Sequence, residues 1–442
     1  MISLIPIEKF NDYFSNTLLL ERFDNKIRYK CASGIDKIGV KKFCEKLDEN
    51  LNTITRKVLN GTYNFTKYRE VLISKGKNKF PRAISLPSIR DKLTLSLLNS
   101  FLQSVYKDEI DSRLIHSKIS LLSDNINQYT HFIKVDIKGF YSTINHEILR
   151  AKLSELLPVE AICLISKAIK TPSVPQIFNK NLTEVKPLEI GVPEGLSISN
   201  ILADIYLIDV DNYFKSISSL HYCRYVDDIL ILCNKRDVEH LKREVKNRLV
   251  DIKLDLNEEK LDSGEIHKSF YYLGYFFDDK RISARDTAIH RLEHSIEKLF
   301  SDYNHKKLNK KLFEWKLNLK ITGCVFENKK YGWIFFYSQM NDIMTLKKLD
   351  WLVHKLCERF NIDSVDMNIK SFTKTYFEIK YNLSSSTYFI SIHKLTAAEK
   401  SKIIEEIYNY SVPNTEGEIN DVFSKLITRD LRSLEKDIQS FS

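Results

Sequence analysis

Apolar residues recur at helical spacing over Ile89, Leu93, Leu97 and Phe101, with Leu98, Leu102 and Val105 beside them, and Ser88 with Asp91 sets a capping-box pattern in front. This predicts a core helix within a first segment that otherwise reads as mixed but mainly helical. Phe132 to Val135 is a short apolar run that predicts a buried strand, and Asn145 then caps a helix with Leu149, Leu153, Leu156 and Leu157 on one face. Asp136 falls between the two. After a Pro-broken stretch from Thr171 to Pro187, Ser197 to Leu207 reads as helix, and Tyr222 to Leu232 as two strands about a tight turn that holds Asp227 and Asp228. Val238, Leu241, Val245 and Leu249 predict a further amphipathic helix. Ile252, Leu254 and Leu256 alternate as in a half-buried strand, and Phe270 to Phe277 reads as one aromatic strand. From Thr287 the period is helical again, through Ile289, Leu292, Ile296 and Leu299 and later Leu346, Leu349, Val353, Leu356 and Phe360. Polar interruptions at Asn382 to Thr387 and Pro413 to Gly417 set off the last helices, and no internal repeat is visible.

Composition narrows the class. With 442 residues, 43% hydrophobic and 29% charged, the chain is ordinary globular protein, which excludes disorder, collagen and coiled coil. At roughly 100 to 200 residues per domain, this length suggests about two to four compact units. Basic residues exceed acidic ones by 68 to 58, and the surplus is local: residues 67–92 carry eight basic and two acidic side chains, residues 301–330 eight and three. Such clustering points to a polyanionic partner. The cysteines at 31, 44, 163, 223, 233, 324 and 357 form neither a C-x-x-C pair nor a short-spaced set with histidine. A zinc site and a disulfide framework are therefore not expected, and a reducing cytoplasm is. Glu8 and Lys9 follow only a few apolar residues at the N-terminus, and no apolar run reaches the ~18 residues that span a bilayer, so neither secretion nor a membrane partner is expected.

The chemistry concentrates where Val135-Asp136-Ile137 and Tyr225-Val226-Asp227-Asp228 each place carboxylate at the end of a short apolar strand. Two adjacent strands could hold Asp136 and Asp227 over one site. Magnesium takes hard oxygen ligands, and two such ions stabilise both the attacking and the departing oxygen of a phosphoryl transfer. An aspartate pair alone says little. The second pair, Asp278-Asp279, precedes Lys280 and reads as a solvated turn.

The order of further blocks resembles the reverse transcriptases over roughly residues 30 to 280. Ser33-Gly34-Ile35-Asp36 and Lys75-Gly76-Lys77-Asn78-Lys79-Phe80-Pro81-Arg82 look like the fingers blocks of group II intron and bacterial enzymes. Val135 to Tyr141 resembles motif A, Gly191-Val192-Pro193-Glu194-Gly195 with Ser199 motif B, and Tyr225 to Asp228 the Y-x-D-D of motif C. Leu256-Asn257-Glu258-Glu259-Lys260 is similar to motif D, and Tyr272-Leu273-Gly274-Tyr275 to the primer grip.

The resemblance implies an α+β right-hand polymerase. Fingers would take residues 1–130, with helices of 145–190 inserted; palm 131–144 and 191–280; a mostly helical thumb and C-terminal extension 281–442. It makes Asp136 and Asp227 the ligands of two Mg2+ ions, with Mn2+ as a substitute, the Ile137 carbonyl assisting and Asp228 completing the acidic cluster. Adjacent strand residues face opposite ways, so direct ligation by Asp228 stays open. Lys75 and Arg82 would grip the incoming triphosphate; Lys77 and Lys79 could exchange with Lys75. Tyr141 stands where the family has its steric gate against a ribose 2′-hydroxyl, against which stands a packed core tyrosine. Gly195 would let motif B pass close to the nascent base pair. Lys260 is a candidate proton donor to pyrophosphate or else a surface lysine.

Tyr272 and Gly274 would hold primer. Lys306, Lys307, Lys310 and Lys311, interleaved with Phe313 and Trp315, would suit a helix along a nucleic-acid backbone, against the alternative of a solvated helix with two core aromatics. Glu194 departs from the Pro-Gln-Gly usual in motif B. Either a fingers Arg or Lys neutralises it, or it accepts from base amino groups of template. The partners implied are RNA template, in particular a noncoding RNA, DNA product and deoxynucleoside triphosphates, with a second reverse transcriptase or a homo-oligomer as a further option. RNA-directed DNA polymerisation in bacterial antiphage defence is the function expected. A retron or group II intron enzyme, a template-independent DNA polymerase, an RNA-dependent RNA polymerase and a non-catalytic nucleic-acid-binding protein are the alternatives.

Overall fold

The computed structural model describes residues 7–28, 31–74, 80–177, 185–327, 329–363 and 366–438. The chain divides into two compact units, residues 1–113 with 128–264 and residues 114–127 with 265–442. The class is α+β, as expected. Among the described residues no helix is long and apolar enough to cross a membrane.

In the first unit, strands β1 (Tyr68–Ile73), β2 (Arg82–Leu86), β3 (His131–Asp136), β4 (Ser173–Val174), β5 (His221–Tyr225), β6 (Asp228–Cys233) and β7 (Asp262–Glu265) build two sheets. The larger runs β5-β6-β3-β7, with β3 and β5 each antiparallel to β6. β6 from Ile229 to Cys233 is buried throughout, because helices cover what its pleat turns away from the site; Leu241, Val245 and Leu249 of helix Val238–Asp251 join the core that holds Ile133, Ile229 and Ile231. The smaller sheet runs β2-β1-β4. Its strands do not show in the apolar pattern: Leu72 and Ile73 are exposed, so no face of β1 reads as continuously apolar.

Helix Ile89–Val105 starts at Ser88, whose hydroxyl accepts from the Asp91 amide at 3.2 Å. The box is not reciprocal. The buried Asp91 carboxylate instead accepts from the Ser88 and Tyr63 hydroxyls, both at 2.8 Å, and from the Thr66 amide at 3.0 Å, which ties the preceding loop to the helix. Asn145 caps helix His146–Leu153 by accepting from the amides of Glu147 and Ile148.

Two strand expectations are corrected. Residues 252–256 form a turn and a single bridge, Ile137 to Leu256, because Lys253 takes a left-handed backbone (φ 59°) that breaks the extended run. Phe270 to Phe277 is a hairpin of β8 (Phe270–Tyr272) and β9 (Tyr275–Asp278) about Leu273-Gly274, both at positive φ, as a two-residue hairpin turn requires.

The second unit adds β10 (Arg281–Ala284) to that hairpin and has a second small sheet in which β11 (Cys324–Phe326) lies between β12 (Lys329–Tyr331) and β13 (Ile390–Ser391). Helices Asp286–Asn304, Lys310–Thr322, Ile343–Arg359, Phe372–Tyr381 and Glu416–Ile438 form most of the rest. Gly323 and Gly332 are a close crossing: a Cβ on Gly332 would stand 2.6 Å from the Gly323 Cα, and one on Gly323 would run into the Tyr331 carbonyl.

Candidate active site

β3 and β6 pair so that Asp136, last residue of one, lies directly opposite Asp228, first residue of the other. Directly opposed residues of an antiparallel pair share a face, so these carboxylates are neighbours. Asp227 sits in the turn between β5 and β6 beside Val226, whose φ of 57° is strained for a β-branched residue. Arg224 holds that turn. Its Nη1 donates to the Val226 carbonyl and to Asp204 Oδ1, each at 2.9 Å, while Nε and Nη2 fork onto both oxygens of Asp211 at 2.7 and 2.6 Å. The Tyr222 hydroxyl completes the Asp211 shell at 2.8 Å, and both Arg224 and Asp211 are buried. On the other side, the Ile137 amide donates to the Asp227 carbonyl at 3.3 Å, and Asn257 and Lys138 stitch residues 255–257 to the end of β3 through the Asp136 and Asp255 carbonyls, both at 2.9 Å.

The Asp136 carboxylate is buried and already met by donors: Lys260 Nζ on Oδ1 at 3.0 Å and the Asn257 amide on Oδ2 at 3.1 Å. Burial works to lower the Lys260 ammonium, but the hydrogen bond and charge of Asp136, with Asp227 and Asp228 behind it, outweigh burial and raise it. Lys260 is thus positively charged at neutral pH. Burial, joined by the Asp136 charge, lifts Asp227 above the usual carboxylate range, against the pull of its own amide, Lys260 and Arg82. Burial pushes Asp228 up to about 6, with Asp227 and Asp136 adding and Lys134 opposing.

This concentration of hard, mutually repelling oxygens fits divalent ions, and the Lys260 ammonium stands in for part of that charge. Among the described residues no three His, Cys, Asp or Glu side chains form a group able to hold a metal. Asp227 lies in the turn and Asp228 opens β6, so the two carboxylates leave the backbone from different local settings.

Around the carboxylates stand three further candidates. Tyr141 is buried within the short helix Phe140–Thr143 and donates its hydroxyl to Asn200 Oδ1 at 2.6 Å. Burial, with the charges of Asp227 and Asp204, raises that phenol. Arg82 opens β2 and donates Nε to the Glu194 carboxylate, while the Ser85 amide donates to the Glu194 carbonyl at 2.7 Å. Gly195 then passes β2 so closely that a Cβ would stand 2.5 Å from Ile84 Cγ2, at a φ of +96° that side chains rarely adopt. The Gly191 to Gly195 turn is thereby fixed against β2, and Tyr141 feels the charges of Asp227, Arg82 and Glu194 while Arg82 also acts on Asp227.

Lys75, with Lys77 and Lys79, lies outside the described residues. Tyr272, expected at the primer, lies in β8 with its ring buried. Gly274 serves the turn, its carbonyl accepting from the Arg285 amide at 3.0 Å.

Three of the four lysines of the basic stretch meet acids of the same unit. Lys307 pairs with Asp302 at 3.1 Å, Lys310 with Asp366, and Lys311 with Glu406 at 2.8 Å; Lys306 occupies a turn at φ 57°. Phe313 is buried, and the Trp315 indole is shared by the Tyr408 hydroxyl and Asp430, both at 3.2 Å, so these aromatics are packing. Sequence reasoning missed Arg224, Asp211, Asp204, Asn200 and Asn257. A charged residue at 224 inside an apolar strand was the available signal.

Residues 73–277 match the family described as "Reverse transcriptase (RNA-dependent DNA polymerase)". The segment is a reverse transcriptase domain with group II intron-encoded homologues. The "Group II intron-encoded protein LtrA" of Lactococcus lactis subsp. cremoris is 25% identical over 181 residues, covering 38% of this chain and 28% of that protein. The "Uncharacterized 91 kDa protein in cob intron" of Schizosaccharomyces pombe is 28% identical over 178 residues, covering 38% of this chain and 21% of that protein. The "Putative COX1/OXI3 intron 1 protein" of Saccharomyces cerevisiae is 23% identical over 273 residues, covering 48% and 32%. The chain thus spans between a fifth and a third of the length of these relatives. Among solved structures it is similar to telomerase from Candida albicans, at TM-score 0.41 and 14% identity over 92% of this chain and 72% of that one.

Proposed function

We propose that this chain is an RNA-directed DNA polymerase that extends a 3′-hydroxyl with deoxynucleotides. The observation that carries the reading is the pairing of β3 with β6, which sets Asp136 against Asp228 and beside Asp227, inside the reverse transcriptase domain. Asp136 and Asp227 would hold two Mg2+ ions, which when bound supply charge to the attacking and the departing oxygen. The residues of the chain do the rest. Arg82 binds the triphosphate after leaving Glu194, Tyr141 excludes a 2′-hydroxyl, Lys260 holds a proton beside the carboxylates for the leaving pyrophosphate, and Arg224 keeps the Asp227 turn in place.

In this reading β3 with β5 and β6 is the palm, the β1-β2-β4 sheet with helix Ile89–Val105 the fingers, and the helices after residue 286 the thumb and extension. The cysteines stand outside any disulfide, which fits a reducing cytoplasm. The finer part of the proposal is a dedicated noncoding RNA template and a role in antiphage defence; the helical extension past the reverse transcriptase domain is what supports it. The test is incorporation of labelled dNTP against NTP by purified protein, with co-purifying RNA left in place and then sequenced. DNA product carrying sequence complementary to the bound RNA is expected. Incorporation of NTP in preference to dNTP, or product made equally well after RNase treatment, would overturn the reading.

A further inference from the structure

Beyond residue 284, five of the six exposed large apolar side chains among the described residues lie between 344 and 383: Met344, Trp351, Phe377, Tyr381 and Leu383, with Tyr410 apart. This lies outside the reverse transcriptase domain. The sharpest part is helix Phe372–Tyr381. Its inner face is satisfied: Phe372, Thr375 and Tyr376 are buried, and the Tyr376 hydroxyl donates to the Met340 carbonyl at 2.7 Å. Its start is fixed by Asp350, which accepts from the Phe372 and Thr373 amides at 2.6 and 3.1 Å.

The outer face of such a helix is ordinarily polar. Here it carries Phe377 and Tyr381, 42% and 68% exposed, with rings 6.2 Å apart and within 8° of parallel. Three lysines share the segment. Lys380 Nζ lies 5.8 Å from the Tyr381 ring centre and reaches the Tyr376 hydroxyl at 3.4 Å, while Lys370 and Lys374 converge on the neighbouring Tyr388 ring at 4.9 and 4.7 Å. From 370 to 388 there are three lysines and one acid, Glu378, which accepts from Asn382 at 3.4 Å.

We propose that Phe377 and Tyr381, flanked by Lys370, Lys374 and Lys380, form a stacking platform for unpaired bases of a single-stranded nucleic acid. Every base has a π-face, so parallel exposed rings bind it without sequence choice, and nearby lysines neutralise the phosphates between bases. A protein partner fits less well, because lysine is depleted from protein interfaces, whereas here it alternates with the aromatics. The site acts independently of the polymerase reading.

The experiment uses the full chain and a fluorescein-labelled oligo-U 15-mer containing 4-thiouridine, read by anisotropy and by mapping of photo-crosslinks. Crosslinks within residues 370–388 are expected. The double variant Phe377→Ala/Tyr381→Ala loses about tenfold or more in affinity. Phe377→Leu/Tyr381→Leu loses as much, and Tyr381→Trp stays within about twofold of wild type. Thermal melting of all variants stays close to wild type, since Tyr381 is mostly exposed and Phe377 keeps only an edge contact with the Tyr376 ring. Absence of crosslinks in this segment, unchanged affinity of the alanine variant, or leucines that substitute fully for the rings would overturn the proposal; the last outcome marks an apolar protein contact. Failure of wild-type protein to extend any primer would sink the polymerase reading and leave the crosslink result standing.

Discussion

Arg82 donates its Nε to the Glu194 carboxylate, so the guanidinium at the start of β2 and the acidic residue of the Gly191 to Gly195 turn neutralise each other. Of the two fates open to Glu194, neutralisation by a basic residue is the one the geometry favours, since Arg82 already meets the carboxylate through Oε2. The pair is partly exposed, so it is worth at most about 1 kcal/mol and a triphosphate can compete for Arg82.

Glu194→Gln should therefore release Arg82 at small cost. The KM for dNTP should fall by up to about fivefold, with kcat near normal and base composition of the product unchanged. Steady-state kinetics with sequencing of the product checks both. A shifted base composition would return Glu194 to template contact.

Tyr141 is held by its hydrogen bond to Asn200 and by the packing of Phe140 beside it, with ring centres 5.8 Å apart. Tyr141→Ala should raise relative use of rNTP roughly tenfold or more, and Asn200→Ala, which frees the ring without removing it, should raise it less. The ratio of kcat/KM for dCTP and CTP measures this. An unchanged ratio in both variants would leave Tyr141 a packing residue.

Arg224 makes its contacts without solvent, so its removal strands Asp211 as an unpaired buried charge. Arg224→Ala should cost about 3 to 5 kcal/mol in urea unfolding. Arg224→Lys keeps the charge but loses the fork that reaches Val226 and Asp211 together, and should lower kcat while leaving the KM for dNTP close to wild type. A lysine variant with full kcat would mean that the strained turn at Val226 holds itself.

How far the sequence discloses this architecture depends on the range of the contacts. Helix Ile89–Val105 and the β5–β6 hairpin are local, set by Ser88 and by the acidic turn, and both are legible. The β8–β9 hairpin is not, because the unbroken aromatic run conceals a turn at Leu273-Gly274. Lys310 and Lys311 look like a free basic face until chain distant in sequence brings Asp366 and Glu406 onto them. The site divides the same way. Asp136 and Asp227 are legible from strand ends, whereas Asn257 on Asp136 and Asp211 on Arg224 need the tertiary fold to meet.

Those distant acids bear on nucleic-acid binding. Replacing Lys306, Lys307, Lys310 and Lys311 together by Gln should reduce the slope of log affinity against log salt by about 1 or less, not by the ~3.6 that four free phosphate contacts would give. Filter binding from low to moderate salt measures the slope. A loss near the full value would mean that nucleic acid displaces Asp302, Asp366 and Glu406.

In the proposed polymerase the Asp136 and Asp227 carboxylates carry DNA synthesis and are not kept for stability. Asp227 is raised above its ordinary range by burial and by the Asp136 charge, so the fold disfavours its ionised form. The direct measurement is primer extension on RNA with dNTP and Mg2+ by wild type and Asp227→Asn, beside their melting temperatures. Synthesis by wild type and none by the variant, at an equal or higher melting temperature, is the predicted result. A folded Asp227→Asn protein that keeps most of the wild-type rate would mean that Asp227 does not carry the chemistry.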